Sequence, residues 1–194
     1  MPRVLEAILG AACLLVLSPF LAIIAAFVKL HDGGVVFYCA KRVGKDGKEF
    51  DVYKFRTMVP DADSIGAAIT MSGDQRITSL GKYLRKYKLD ELPQLLNVLR
   101  GEMSFVGARP EDPRYVAFYN KEQRQVLAFR PGITSPASLK YRDEESLLNG
   151  TDWLQQYVDV VLPKKLALDL SYLKQRSVFS DIVIILRTLA GILK

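Results

Sequence analysis

A mainly helical α+β fold is what the sequence predicts, on three observations: a nearly unbroken apolar run close to the N-terminus, one strand-turn-strand segment, and leucine-rich stretches of helical period through the remainder. The apolar run divides the chain into a membrane segment, residues 1–30, and a domain of catalytic size, residues 31–194. With 49% hydrophobic and 25% charged residues, the composition suits a chain with a substantial core and excludes a disordered, collagen-like or low-complexity one. Cys13 and Cys39 are too few for a disulfide-stapled scaffold, and His31 is the only histidine. A zinc site built from Cys and His is thereby excluded, and a Ser-His-Asp or Cys-His mechanism would rest on His31 alone.

Lysine and arginine number 27 against 21 aspartates and glutamates, a net charge of +6 that favours anionic partners: nucleic acid, phosphorylated small molecules or an anionic membrane face. Mean hydropathy is nevertheless +0.10, so the apolar residues are concentrated. Between Val4 and Leu30 only Glu6 and Lys29 are charged, and about 20 apolar residues suffice to span a bilayer as a helix. The run is long for a cleaved signal peptide, and no disulfide framework follows it. Ser18-Pro19 divides it: Pro19 has no amide hydrogen and crowds the Leu15 carbonyl, while the Ser18 hydroxyl can bond back one turn, so a kink is expected. The first arm, Ala7 to Leu17, is about 16 Å long, roughly half the hydrocarbon thickness. Arg3 precedes the run and Lys29, Lys41, Arg42, Lys45 and Lys48 follow it, so both ends are basic. A Pro-kinked spanning helix and a helix that turns back are both compatible with this composition; a buried core helix fits less well, because the run has no polar face.

Val35 to Tyr38 and Phe50 to Thr57 flank Gly44-Lys45-Asp46-Gly47 and read as a β-hairpin. Alternation puts Phe50, Val52, Lys54 and Arg56 on one face of the second strand, so two cations project together, either as a solvated basic edge or toward an anion. Pro60 to Ser79 is polar and reads as a long loop. Leu80 to Lys88 is a basic amphipathic helix whose cations suit phosphates of a ligand or of lipid headgroups. In Leu89 to Gly101, Asp90 reads as an N-cap, Pro93 as a first-turn proline and Gly101 as the stop, with Leu92, Leu95, Leu96 and Leu99 on one apolar face. Toward the C-terminus, Trp153 to Leu162, Leu166 to Arg176 and Phe179 to Leu193 have helical period. Leu166, Leu170 and Leu173 share one face and Ile182, Leu186 and Leu189 another, to pack on the core or lie in the membrane interface.

Chemistry is concentrated between Lys54 and Arg130. A carboxylate at a helix start is stabilised as an anion beside free amide donors, where a phosphate is equally at home. An aspartate there can attack a phosphoryl group if cations offset the repulsion, and Mg²⁺ is the natural ion for this because it takes few carboxylate oxygens plus substrate phosphates. As a local pattern Asp90-Glu91 is equally a simple cap. Gly107-Ala108-Arg109-Pro110-Glu111 and Arg130-Pro131-Gly132-Ile133-Thr134 strengthen the chemical reading, since each sets an arginine beside a rigid proline in a Gly-containing turn. Together with Lys54, Arg56, Arg85 and the carboxylate pair they suggest a diphosphate site.

These segments, with Lys54-Phe55-Arg56-Thr57-Met58, Leu89-Asp90-Glu91-Leu92-Pro93-Gln94 and Asn97 to Ser104, resemble the bacterial sugar transferases known as monotopic polyprenol-phosphate phosphoglycosyl transferases. The resemblance runs from Ser18-Pro19 to the C-terminal helices and matches the minimal catalytic form, without additional membrane helices. It implies transfer of a sugar 1-phosphate from a UDP-sugar to a polyprenyl phosphate such as undecaprenyl phosphate, with release of UMP. It makes Asp90 the nucleophile, forming a phosphosugar-aspartyl intermediate, and a ligand of a Mg²⁺ cofactor. Glu91 becomes its dyad partner, and Lys54, Arg56, Arg85, Arg109 and Arg130 phosphate-binding cations. It also implies that Ser18-Pro19 breaks a re-entrant helix entering and leaving by the cytoplasmic leaflet of the bacterial inner membrane. The expected architecture is then a re-entrant membrane helix, a short β-hairpin and a cytoplasmic-face helical domain with interfacial amphipathic helices. Its partners are the UDP-sugar, the polyprenyl phosphate and membrane lipids, with no nucleic acid. Ala108, where many members have Pro, and Ser135-Pro136-Ala137-Ser138 depart from the commonest pattern at positions suited to donor contacts. The competing reading, a membrane-tethered basic module that binds anionic lipid or nucleic acid without catalysis, explains the charge and the anchor but gives no reason for a carboxylate pair among Arg-Pro turns.

Overall fold

The computed structural model describes residues 1–62, 73–142 and 153–192. The apolar run forms one helix, α1 (Arg3–Asp32), that continues through Pro19 and ends at Gly33, whose left-handed φ of 73° lets its N–H donate to the Lys29 carbonyl. The Ser18 hydroxyl donates to the Leu15 carbonyl at 2.8 Å, the back-bond expected beside Pro19. Long and apolar enough to enter a membrane, α1 is a candidate anchor. Its buried residues lie toward its two ends, Glu6 and Gly10 at the start and Ile24 and Val28 near the finish. Between them residues 11–20 are exposed or half-buried.

Both flanks of α1 rest on the domain that follows. Ile24 and Val28 pack with Phe55 and Leu84. At the other end Arg3 donates to the Val98 and Leu99 carbonyls at 2.6 Å each, and Gly10 lies against Val98.

The expected hairpin is present as β1 (Phe37–Val43) and β2 (Glu49–Phe55), antiparallel with Phe37 opposite Phe55 and Val43 opposite Glu49, around a tight turn at Lys45–Gly47. The second strand is not a solvated edge: the Lys54 side chain is 21% exposed and that of Arg56 9%. Half of the expected loop, residues 63–72, lies outside the described residues. Then comes α2 (Ser79–Lys86), N-capped by Thr78, whose hydroxyl accepts from the Gly81 N–H at 2.9 Å.

Residues 89–101 differ from expectation. Leu89–Gln94 is a 3₁₀ turn, and helix α3 (Leu95–Arg100) begins only after it. Asp90 is therefore inside the tight turn and is not an N-cap. Pro93 brings no N–H, and Lys88 enters at a left-handed φ of 54°, a path that an α-helix starting at Asp90 would not allow. The later start also rotates the buried face: Leu95, Asn97 and Val98 are buried, whereas Leu96 and Leu99 are exposed. Gly101 stops α3 with a left-handed φ of 83°, as expected.

A parallel pair, β3 (Ser104–Val106) and β4 (Gly132–Thr134), joins segments that showed no strand pattern. Short helices α4 (Pro113–Val116) and α5 (Pro136–Lys140) accompany them. Helix α6 (Trp153–Gln156) runs through a π-turn at Tyr157–Val161 into α7 (Leu162–Gln175), and α8 (Val178–Ile192) follows. Leu166 and Leu173 are buried in the main core with Val43, Tyr115, Val126 and Val161, and Leu170 on the same face is buried as well. The second leucine face is exposed: Phe179, Ile182, Leu186 and Leu189 line the outside of α8.

Candidate active site

The 3₁₀ turn sets two adjacent carboxylates in opposite circumstances. Strand β2 packs against the turn, which lets Lys54 reach Glu91: Nζ donates to Oε1 at 3.1 Å. From the other side Arg109 grips the same carboxylate with both terminal nitrogens, Nη2 to Oε1 at 2.5 Å and Nη1 to Oε2 at 3.1 Å. This two-pronged geometry is the strong form of a guanidinium-carboxylate contact. Burial by itself would raise the Glu91 pKa, but the charges of Arg109 and Lys54 outweigh it and hold the carboxyl well below the usual range. Glu91 is thus a fixed anion.

Asp90, 6% exposed, has no such grip. Its Oδ1 is buried without a hydrogen-bond partner. Burial and then the neighbouring Glu91 charge push its pKa up, against the weaker downward pull of Lys54, Arg85 and Lys88. A buried carboxylate oxygen without a partner is costly, and a functional site is where such a cost is sustained. The raised pKa makes the anion a stronger base and nucleophile once formed.

The expected cations fall into three groups. Lys54 and Arg109 hold Glu91, and Arg85, whose Nε donates to the Thr57 hydroxyl at 2.9 Å, faces Asp90. Arg56 lies elsewhere: its Nη2 pairs with Asp32, the last residue of α1, while its Nε and Nη1 are buried without partners. Arg130, the third case, lies 3.9 Å from Glu6. Glu6 is fully buried and also accepts from the Ser104 hydroxyl. The two Arg-Pro turns are nonetheless neighbours, because β3 and β4 join them. Gly132 N donates to the Ala108 carbonyl at 2.9 Å and Gly107 N to the Thr134 carbonyl at 3.0 Å. A Cβ on Gly132 would come within 2.1 Å of the Gly107 nitrogen, so glycine is required for that approach. Ser18 and Pro19 are on the exposed middle stretch of α1.

Sequence reasoning missed Lys88, Asp32 and Glu6 as participants. Lys88 had a visible signal, a cation two residues before Asp90. Glu6 had one too: a lone carboxylate in an apolar run demands a partner. Asp32 carried none, since only the folded return of the chain after α1 brings Arg56 to it.

A carboxylate pair ringed by cations, on a domain against which an apolar helix packs, has the makings of an enzyme that handles anionic substrates at a membrane. The comparisons give that class its family: the model of bacterial sugar transferases matches residues 1–194, and the chain belongs to this family. It is 34% identical to the exopolysaccharide production protein ExoY of Rhizobium meliloti (strain 1021), covering 98% of this chain and 84% of that one. Identity is also 34% to the UDP-glucose:undecaprenyl-phosphate glucose-1-phosphate transferase of Caulobacter vibrioides, over 98% of this chain and 69% of the relative. A UDP-N-acetylgalactosamine-undecaprenyl-phosphate N-acetylgalactosaminephosphotransferase of Aeromonas hydrophila is 34% identical over 91% of this chain and 40% of its own length.

Proposed function

We propose that the protein transfers a sugar 1-phosphate from a UDP-sugar to a polyprenyl phosphate, undecaprenyl phosphate in the first instance, and so begins assembly of a lipid-linked glycan. The observation that carries this reading is the buried, unpartnered Oδ1 of Asp90 beside a Glu91 whose charge is fully engaged. Asp90 attacks the β-phosphorus of the donor, forming a carboxyl-phosphate bond. The bond to the α-phosphate oxygen breaks, its electron pair leaving with UMP. An oxygen of the acceptor phosphate then attacks the same phosphorus, and the electron pair of the broken bond returns to the Asp90 carboxylate. Lys54, Arg85 and Arg109 are poised to offset the charge that gathers on the diphosphate, while Glu91 orients this cationic frame around the nucleophile. Arg56 and Arg130, which stand beside Asp32 and Glu6, lie apart from these three. The relatives' names support a UDP-sugar donor and the undecaprenyl acceptor and differ in the sugar.

Mg²⁺ fits the residues present. Asp90 offers a free carboxylate oxygen, and an ion of this kind needs only one or two protein carboxylates when substrate phosphates and water supply the rest. When bound, it would neutralise diphosphate charge and favour departure of UMP.

The helix α1 is read as re-entrant, at the cytoplasmic leaflet of the bacterial inner membrane. In support, both flanks of α1 rest on the same domain while the stretch around Ser18-Pro19 is exposed, and both ends are basic. The outward apolar face of α8 and the cations of α2 suit the lipid interface. Release of UMP from a panel of UDP-sugars, with undecaprenyl phosphate and Mg²⁺, tests the activity; no UMP with any donor overturns it. A Pro2→Cys protein labelled from the periplasmic side would overturn the re-entrant arrangement, whereas protection supports it.

A further inference from the structure

We propose that Arg56, held by Asp32 and laid against Gly34, is the seat for the phosphate monoester of the acceptor lipid, separate from the cations that receive the donor. This rests on the transferase reading above and assigns one part of that site to one of its two substrates.

Arg56 is almost wholly buried, its side chain 9% exposed, yet it spends only Nη2 on a protein partner, the Asp32 carboxylate. The hydrogens of Nε and Nη1 are left unpaired away from bulk water. Buried donors of a permanent cation are costly to leave unmade, and a planar guanidinium with two unpaired nitrogens is suited to phosphate oxygens. The mounting is rigid. Asp32 Oδ1 also accepts the Gly34 N–H at 3.0 Å, and the Arg56 N–H donates to the Val36 carbonyl at 2.9 Å, so backbone contacts hold both partners of the ion pair. Gly34 lies so close that a Cβ there would come within 2.7 Å of Nη1.

Location distinguishes acceptor from donor. Lys54 and Arg109 close on Glu91, whereas the Arg56 guanidinium pairs with Asp32 at the end of α1. Arg56 sits instead at the point where α1 ends, where Phe27, Leu30, Val35 and Phe37, 59%, 82%, 68% and 49% exposed, share the surface with the Lys29 ammonium, which donates to the Gly33 carbonyl at 2.7 Å. A water-soluble nucleotide sugar gains little from such a border. An isoprenoid chain lies along it while its phosphate reaches the guanidinium. The phosphate oxygen held there is the one that attacks the phosphosugar-aspartate; the bond from phosphorus to Asp90 breaks and the carboxylate is restored. Arg56 touches the substrate, and Asp32 is a positioning residue.

The test uses the full chain in lipid nanodiscs, with KM measured separately for the UDP-sugar and for undecaprenyl phosphate. It adds the burst of UMP released without acceptor. Arg56→Ala is expected to raise the acceptor KM about tenfold or more, with the donor KM and the UMP burst little changed. Gly34→Ala displaces the guanidinium, and Asp32→Ala releases it; both are expected to shift the acceptor KM in the same direction, with melting temperatures near wild type for Gly34→Ala. If the wild-type protein releases no UMP with any donor, the transferase reading falls and the seat falls with it. If the wild type turns over but Gly34→Ala and Arg56→Ala leave the acceptor KM unchanged, or raise the donor KM instead, the seat alone is overturned.

Discussion

The two Arg-Pro turns are alike in sequence and adjacent in space, yet their guanidiniums serve different carboxylates. Arg109 closes on Glu91, one residue from the proposed nucleophile, and its side chain is 38% exposed at the rim of the site. Arg130, 36% exposed, stands 3.9 Å from Glu6, a fully buried carboxylate in the first turn of α1. One turn thus fixes the charge beside the proposed nucleophile, and the other meets the candidate anchor helix α1. A rigid arginine in a Gly-Pro turn is a preorganised cation, but what it is preorganised for depends on which carboxylate the fold brings to it. Because β3 and β4 tie both turns together, the apolar helix α1 and the Asp90-Glu91 turn are connected through one short pair of strands.

Arg109→Ala tests the catalytic side of this contrast and should have the largest effect. Transfer is expected to fall about 100- to 1000-fold, the usual result of removing one charge-stabilising donor, with a small change in melting temperature; a variant that unfolds would place Arg109 with the structural residues instead. On the side of α1, Arg130→Ala removes the cation 3.9 Å from Glu6 Oε2, an oxygen already buried without a hydrogen-bond partner. The expected loss is about 1 kcal/mol of stability or less, read by denaturant unfolding in detergent. A rise in donor KM at unchanged stability would instead put Arg130 with the phosphate-binding cations. The smallest effect is a displacement of a pH profile. Asp90 must be ionised to attack, and burial and the Glu91 charge raise its pKa, so activity should be lost as pH falls through a value higher than that of an ordinary aspartate. Glu91→Gln removes the negative neighbour, so the remaining activity should keep its acid limb at lower pH than wild type. A limb that stays in place would mean that Glu91 does not act on Asp90 through charge.

Features set by local sequence were legible in advance. The hairpin announced itself by strand-forming residues around Gly44 to Gly47, Gly101 by its place after an apolar periodic run, and the core face of α7 by Leu166, Leu170 and Leu173. Features set by distant contacts were not. Strands β3 and β4 have three residues each, too few for a period to show, and exist because Gly107 and Gly132 permit close approach. The exposure of Leu96 and Leu99 follows from a left-handed Lys88 and a 3₁₀ turn, which a helical wheel begun at Asp90 does not include. Within the site, residue types and motifs singled out Asp90, Glu91, Lys54, Arg85 and Arg109. The partition that sets Arg56 with Asp32 and Arg130 with Glu6 required both ends of α1 to fold back onto the domain.

The central claim is that Asp90 becomes covalently attached to the phosphosugar. Intact-protein mass measurement after mixing with a UDP-sugar in the absence of acceptor tests it most directly. A mass increase of one sugar phosphate is expected on the wild-type protein, discharged when undecaprenyl phosphate is added, and none on Asp90→Asn. Turnover by Asp90→Asn at the normal rate, or an adduct that survives this substitution, would contradict it.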